Sequence, residues 1–169
     1  AKKAQWNELE QHARRSAEAI ADPAVVGAIA AVRLDKYEIA LGKLIRQACK
    51  KASESSMQAL YFEFDMDNDW RSAIFLCKEY EPESKADDEW AADFSEDMTG
   101  PALPPFGDIY GDHACGESRP AKSIERYLVA RTVAAVGRAA SGLDLKGVAL
   151  CAGYHDQDLV YRIRELPPG

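Results

Sequence analysis

The chain has no apolar run long enough to cross a membrane. Its longest, residues 24–32, is nine residues and rich in small side chains, whereas a span needs roughly 18–20. It has four cysteines, Cys49, Cys77, Cys115 and Cys151, but no Cys-x-x-Cys pair. Three of them sit in apolar stripes, so free thiols in a reducing cytoplasm are the expectation. The first residues are charged and helical in pattern, unlike a secretory signal. There is no G-x-S-x-G, no phosphate-binding loop, no G-x-G-x-x-G and no repeat of solenoid period. No cofactor is expected. Positive charge is scarce where negative charge is dense: residues 57–118 hold three Lys or Arg against sixteen Asp or Glu. That stretch carries net −13, while the segments before and after it each carry +3. A broad basic surface for nucleic acid is therefore disfavoured. An acidic face that speeds encounter with a basic protein is favoured, with a merely solvated acidic loop as the plain alternative.

What is present reads as one α+β domain over residues 1–169. Residues 3–52 are helical: Trp6, Leu9, Ala13, Ala17 and Ile20 form one stripe. After an Asp22-Pro23 start signal, a second stripe runs Ala30, Leu34, Tyr37, Leu41, Leu44, Ala48. The second stripe fits one long helix or two with a break near Asp35. Residues 57–80 are a hairpin. Leu60, Phe62, Phe64 and Met66 make a core row, Asp67-Asn68-Asp69 the turn, and an apolar second strand lies inside the sheet. In the acidic segment and loop, residues 81–120, the spacing of Trp90, Phe94 and Met98 predicts a short helix over 87–98. Four prolines and four glycines over 100–120 predict a long loop. A buried helix over 123–141, capped by Ser123, precedes a last hairpin over 147–165. There Leu159, Tyr161 and Ile163 point inward, and Val160, Arg162 and Arg164 outward. These elements predict a mainly antiparallel sheet of about four strands, two hairpins, with helices packed on one face. Arg162 and Arg164 would meet Glu63 and Asp65 if the last strand neighboured the first.

Candidate chemistry is sparse. The run from Asp65 to Asp69 imitates the start of a calcium loop. However, Trp70 stands where a glycine is needed and Leu76 where a bidentate glutamate is needed. Asp67 and Asp69 could join His155, Asp156 and Asp158 around a divalent metal if both turns lie at one end of the sheet. His113 and Cys115 form half of a zinc-deaminase pattern but lack its glutamate and Cys-x-x-Cys. An ordinary loop thiol is the better reading of Cys115. Trp70, Trp90 and Tyr110 lie among acids as interface anchors do, with core packing as the alternative for both tryptophans. The partner-binding candidates are Asp67, Asp69, Trp70, Asp87, Asp88, Glu89, Trp90, Asp93, Asp97, Asp108, Tyr110 and Asp112.

Three segments, ALYFEFDMDNDWRSAIF (59–75), EWAADFSED (89–97) and GVALCAGYHDQDLVYRI (147–163), together resemble the small cytoplasmic immunity proteins of bacterial polymorphic-toxin systems. Those systems include contact-dependent and type VI secreted effectors. The resemblance implies a non-enzymatic inhibitor that binds a cognate toxin, one with a basic active-site cleft, and no direct nucleic-acid or membrane contact. It transfers no individual residue. The competing expectations are a metal-assisted hydrolase built on the two Asp-rich turns, and a regulatory module for another basic protein.

Overall fold

The computed structural model describes residues 2–85, 89–155 and 159–166. Asp87, Asp88, Asp156 and Asp158, named above as candidates, lie outside the described residues. The Trp6 stripe becomes α1 (Lys2–Glu18). Asp22 accepts the Ala24 amide at 2.8 Å and Pro23 opens α2 (Pro23–Ala31), as the start signal predicts. The second stripe is two helices: α2 stops at Val32, and α3 (Asp35–Glu54) begins at Asp35. The buried Arg131 guanidinium fills the gap, donating to the carbonyls of Ile29 and of Val32 (3.1 Å). It thereby adds a second donor to the Ile29 carbonyl, which already accepts the Val32 amide at 3.2 Å, and supplies one to the Val32 carbonyl beyond the helix end.

The sheet differs from expectation in number and sense of strands. Among the described residues it has five: β1 (Ala59–Asp65), β2 (Arg71–Cys77), β3 (Phe94–Thr99), β4 (Ala149–Tyr154) and β5 (Tyr161–Arg164), in the order β3-β2-β1-β4-β5. Both hairpins are present as antiparallel pairs, and β2 is interior. The two hairpins are joined by a parallel β1–β4 pairing, so the sheet is mixed. β1 lies between β2 and β4; its Leu60, Phe62 and Phe64 face the main core, while Tyr61, Glu63 and Asp65 alternate onto the opposite face.

The predicted helix over 87–98 is instead a 3-10 turn, Glu89–Ala92, followed by β3. A register shift against β2 between Leu76 and Cys77 puts Phe94 opposite Cys77 and Met98 opposite Ile74. These two partners lie on opposite faces of the sheet, which erases any simple alternation in FSEDMT. The predicted long loop contains α4 (Pro104–His113), with proline in its first turn and Phe106 buried beneath it. The next helix, α5 (Arg119–Ala140), is capped by Ser118, which accepts from the Ala121 amide at 3.2 Å. Ser123, expected as the cap, is inside the helix and donates to the Pro120 carbonyl.

All five helices share one core with Leu60, Phe62, Phe64, Ile74, Leu76, Leu150 and Ala152, so the helices do pack on one face. α1 and α5 approach closely, because Gly137 lets the Trp6 ring lie directly against the helix backbone. Arg131 and Arg138 of α5 clasp Glu10 of α1 at 2.7 and 2.8 Å, and Arg138 also holds Glu38 of α3 at 2.8 Å. On the opposite face a smaller cluster joins Ala59, Tyr61, Cys77, Ala149 and Cys151 under Trp90.

Two expectations for the last strand fail. β4 separates β5 from β1, so Arg162 and Arg164 never reach Glu63 or Asp65. A register shift between Leu150 and Cys151 also puts the two arginines opposite residues of different faces. Arg162 donates to the Glu81 carbonyl, and Arg164 to the Ala140 and Leu143 carbonyls at the end of α5, where a cation opposes the helix dipole favourably. Leu159, expected inward, is 52% exposed.

Candidate partner-binding face

The β1–β2 turn carries two consecutive left-handed residues, Asp69 and Trp70, both at φ 54°. Aspartate tolerates this conformation; tryptophan adopts it at a cost, so the surroundings must hold it there. They do so from several sides. The Trp70 ring is 0% exposed and stacks on Phe64 at 5.4 Å. It meets Phe106 and Tyr110 edge-on at 5.6 and 6.0 Å. Its indole N–H donates to the Thr132 hydroxyl at 2.9 Å, which in turn donates to the Leu128 carbonyl at 3.0 Å. Its own carbonyl accepts the Leu103 amide at 3.2 Å. At Gly107 a Cβ would lie 3.0 Å from the Asp69 Cα, so glycine lets α4 close onto the turn.

Trp70 is thus not an interface anchor but the bolt between hairpin tip and helices. The turn it fixes carries the exposed Asp67 and Asp69, and the helix clamped beside it carries the exposed Asp108 and Asp112. Tyr110 is half-buried between them. Its phenol is pushed up to about 12 by burial first and by the charge of Asp67 next. Five of the sequence candidates therefore sit on the two elements that meet at this end of the sheet: Asp67 and Asp69 on the turn, where Asp69 lies 3.9 Å from Arg71, and Asp108, Tyr110 and Asp112 on the helix.

The remaining described candidates are placed elsewhere. Trp90 is buried over the second face, edge-on to Tyr80 at 5.2 Å, and is likewise core. Glu89 and Asp93 flank it and are exposed; Asp93 lies 3.9 Å from Lys78. Asp97 is exposed on β3 opposite Phe75.

The Trp90 cover spans only part of the second face. Beyond it a row of rings crosses three strands: Phe94 on Phe75 at 4.5 Å, and Phe75 on Tyr61 at 6.4 Å. Phe94 is 45% exposed. The pairing register puts Asp97, Glu63 and Asp65 on the same face as this row. Tyr61 is held by the glycine at 153, where any Cβ would collide with its hydroxyl. The sequence reading missed this aromatic row because it assigned Phe94 to a helix. The signal available was the odd-numbered set on β1, Tyr61, Glu63 and Asp65, whose face needed a cover.

The parallel pairing of β1 and β4 brings their turns to the same end of the sheet. The His155 amide donates to the Phe64 carbonyl at 3.0 Å, and its Nδ1 lies 3.2 Å from Glu63 Oε1. Among the described residues no three His, Cys, Asp or Glu side chains converge as metal ligands. Cys115 is exposed, while Cys49, Cys77 and Cys151 are buried, and none of the four is in a disulfide. Burial pushes the Cys77 thiol up to about 12 and the Cys49 thiol to about 11, the opposite of what a nucleophile requires. No helix among the described residues is long and apolar enough to cross a membrane. Compared with protein-family models, curated proteins and solved structures, the chain finds no match.

Proposed function

We propose that the chain is a protein inhibitor that binds a basic partner, in the manner of a bacterial immunity protein neutralising its toxin. The observation that carries this reading is that the turn and helix joined at Trp70 expose four acids, Asp67 and Asp69 on one and Asp108 and Asp112 on the other, at one end of the sheet. Acids held on packed elements need little ordering on binding, so more of their interaction energy appears as affinity. Such a surface raises the association rate with a positive cleft and rejects acidic partners. The aromatic row beside Asp97 adds apolar area that a complementary surface can bury. The partner's cleft would be covered rather than chemically altered, with no group on this chain acting as a catalyst.

Affinity capture with the tagged chain from cells of its host, at low salt, tests the reading. The expected captured protein is basic, and its enzymatic activity falls on adding the chain in one-to-one ratio. A captured protein that is acidic, or whose activity is untouched, contradicts it.

A metal-assisted hydrolase is the second reading, favoured by one feature: the turn carrying Asp67 and Asp69 lies at the same end of the sheet as His155. Stoichiometric metal in the purified protein, lost on changing Asp67 and His155 to Ala together, would support that reading over inhibition.

A further inference from the structure

β3 is an end strand of the sheet among the described residues, and its outer rim is readable from one hydrogen bond. The Gly100 amide donates to the Ser72 carbonyl at 2.8 Å. The β2–β3 register continues to this pair from Ala73 opposite Thr99. In an antiparallel ladder, pairs that exchange hydrogen bonds alternate with pairs that do not. Ser72 with Gly100 is of the first kind, and so are Ile74 with Met98 and Leu76 with Glu96. Asp97 and Thr99 belong to the second kind. Their N–H and C=O groups point away from β2, toward the rim.

We propose that this rim is a docking strand: the basic partner adds an extended segment to β3, pairing with the outward amides and carbonyls of Asp97 and Thr99. This rests on the basic-partner reading and specifies how that partner is held. Exposed edges invite strand addition, and charged side chains on them select what is added. Here Glu96 and Asp97 are both acidic. Glu96 is neutralised by Lys51 at 2.7 Å, whereas Asp97 has no ion pair among the described residues. A second copy of this chain laid on the rim would bring like charges together. A strand carrying Lys or Arg would meet Asp97 directly. Its cations would then share the open face with Asp97 and the exposed Phe94, and its alternate apolar side chains would fall on the opposite face, beside Met98, which packs against the main core.

The probe is an eight-residue alternating Lys-Val peptide. Its control has the same sequence and charge, with every backbone amide N-methylated, so that it cannot pair. Binding is followed by titration and by amide exchange in the isotope-labelled full chain. The expected result is tighter binding of the Lys-Val peptide, with exchange at the Asp97 and Thr99 amides slowed at least about tenfold and the Met98 amide unchanged. Asp97→Asn retains the rim donor and loses only charge. Asp97→Pro also removes the outward N–H without touching the bonds to β2. Proline should weaken binding about tenfold more than asparagine does, the equivalent of one well-made hydrogen bond. Binding without that amide protection, or equal binding of both peptides, overturns the docking strand and leaves the basic-partner reading standing. Protection that grows with protein concentration before any peptide is added puts a second copy on the rim and overturns it also. No binding of either peptide at low salt overturns both.

Discussion

Replacing Thr132 with Val should loosen the acidic tip through a residue far from it in sequence. The change is nearly isosteric and deletes one acceptor, the hydroxyl that the Trp70 indole N–H reaches at 2.9 Å. Trp70 is fully buried, so water cannot replace the lost partner. A buried donor left unsatisfied costs about 1–3 kcal/mol. For a chain of this size that lowers Tm by about 2–4 °C per kcal/mol. Trp70→Phe works differently: it removes the donor itself, and Thr132 keeps its bond to the Leu128 carbonyl. In the double variant no indole N–H remains to be orphaned. The two changes should therefore cost less together than the sum of their separate costs, by about 1 kcal/mol. The assay is urea unfolding of the wild type, both single variants and the double, followed by fluorescence and circular dichroism. If the costs add without a remainder, the Trp70–Thr132 bond does not hold the tip.

Other outcomes follow from the same geometry. Glu10→Ala should cost toward the low end of the about 3–5 kcal/mol that breaking a buried ion pair entails. Two backbone carbonyls still accept from Arg131, and thermal unfolding reads the loss. Gly153→Val should destabilise the native state by about 1–3 kcal/mol through overpacking, since a Cβ there meets the Tyr61 hydroxyl. Tyr61→Phe in the same chain should recover part of that loss in urea unfolding. Of the four thiols, Cys115 alone should react quickly with a disulfide reagent in the native protein. Burial raises the folded-state values of Cys77, Tyr80 and Tyr161 to about 12, above their ordinary 9.0, 10.0 and 10.0. The folded state thus binds these protons more tightly than the unfolded chain does. Their contribution to stability is whole below about pH 9 and declines as pH rises toward about 12, so the urea midpoint should fall across that window; a midpoint flat to pH 11 would contradict it.

Where sequence and structure agree, the reason is burial. α1, α3, β1, β2 and α5 each set a long apolar row against the core, and such rows leave a period in the sequence. The break before α3 leaves little local trace, since the guanidinium that fills it, Arg131, lies about a hundred positions away in sequence. β3 and α4 were misread for related reasons. β3 is exposed and its register shift turns Phe94 to the face opposite Met98, so neither period survives. α4 buries chiefly Phe106 and starts with two prolines, which read as breakers unless placed in a first turn. The parallel β1–β4 pairing leaves no local trace, since the strands it joins are separated by most of the second half of the chain. Of the proposed site, the acids were legible from charge density alone. That Trp70 and Trp90 are core was not, because a tryptophan among carboxylates has the same sequence signature whether it anchors a partner or bolts a turn.

The central claim, that a rigid acidic face captures a basic partner, is tested most directly by titrating the captured partner with wild-type chain and with an Asp67→Lys, Asp69→Lys, Asp97→Lys variant across a salt series. The account predicts that the variant binds far more weakly at low salt, that its association rate falls more than its dissociation rate rises, and that the two affinities converge as salt increases. Equal affinity of the two proteins at low salt, with the same dependence on salt, would contradict it.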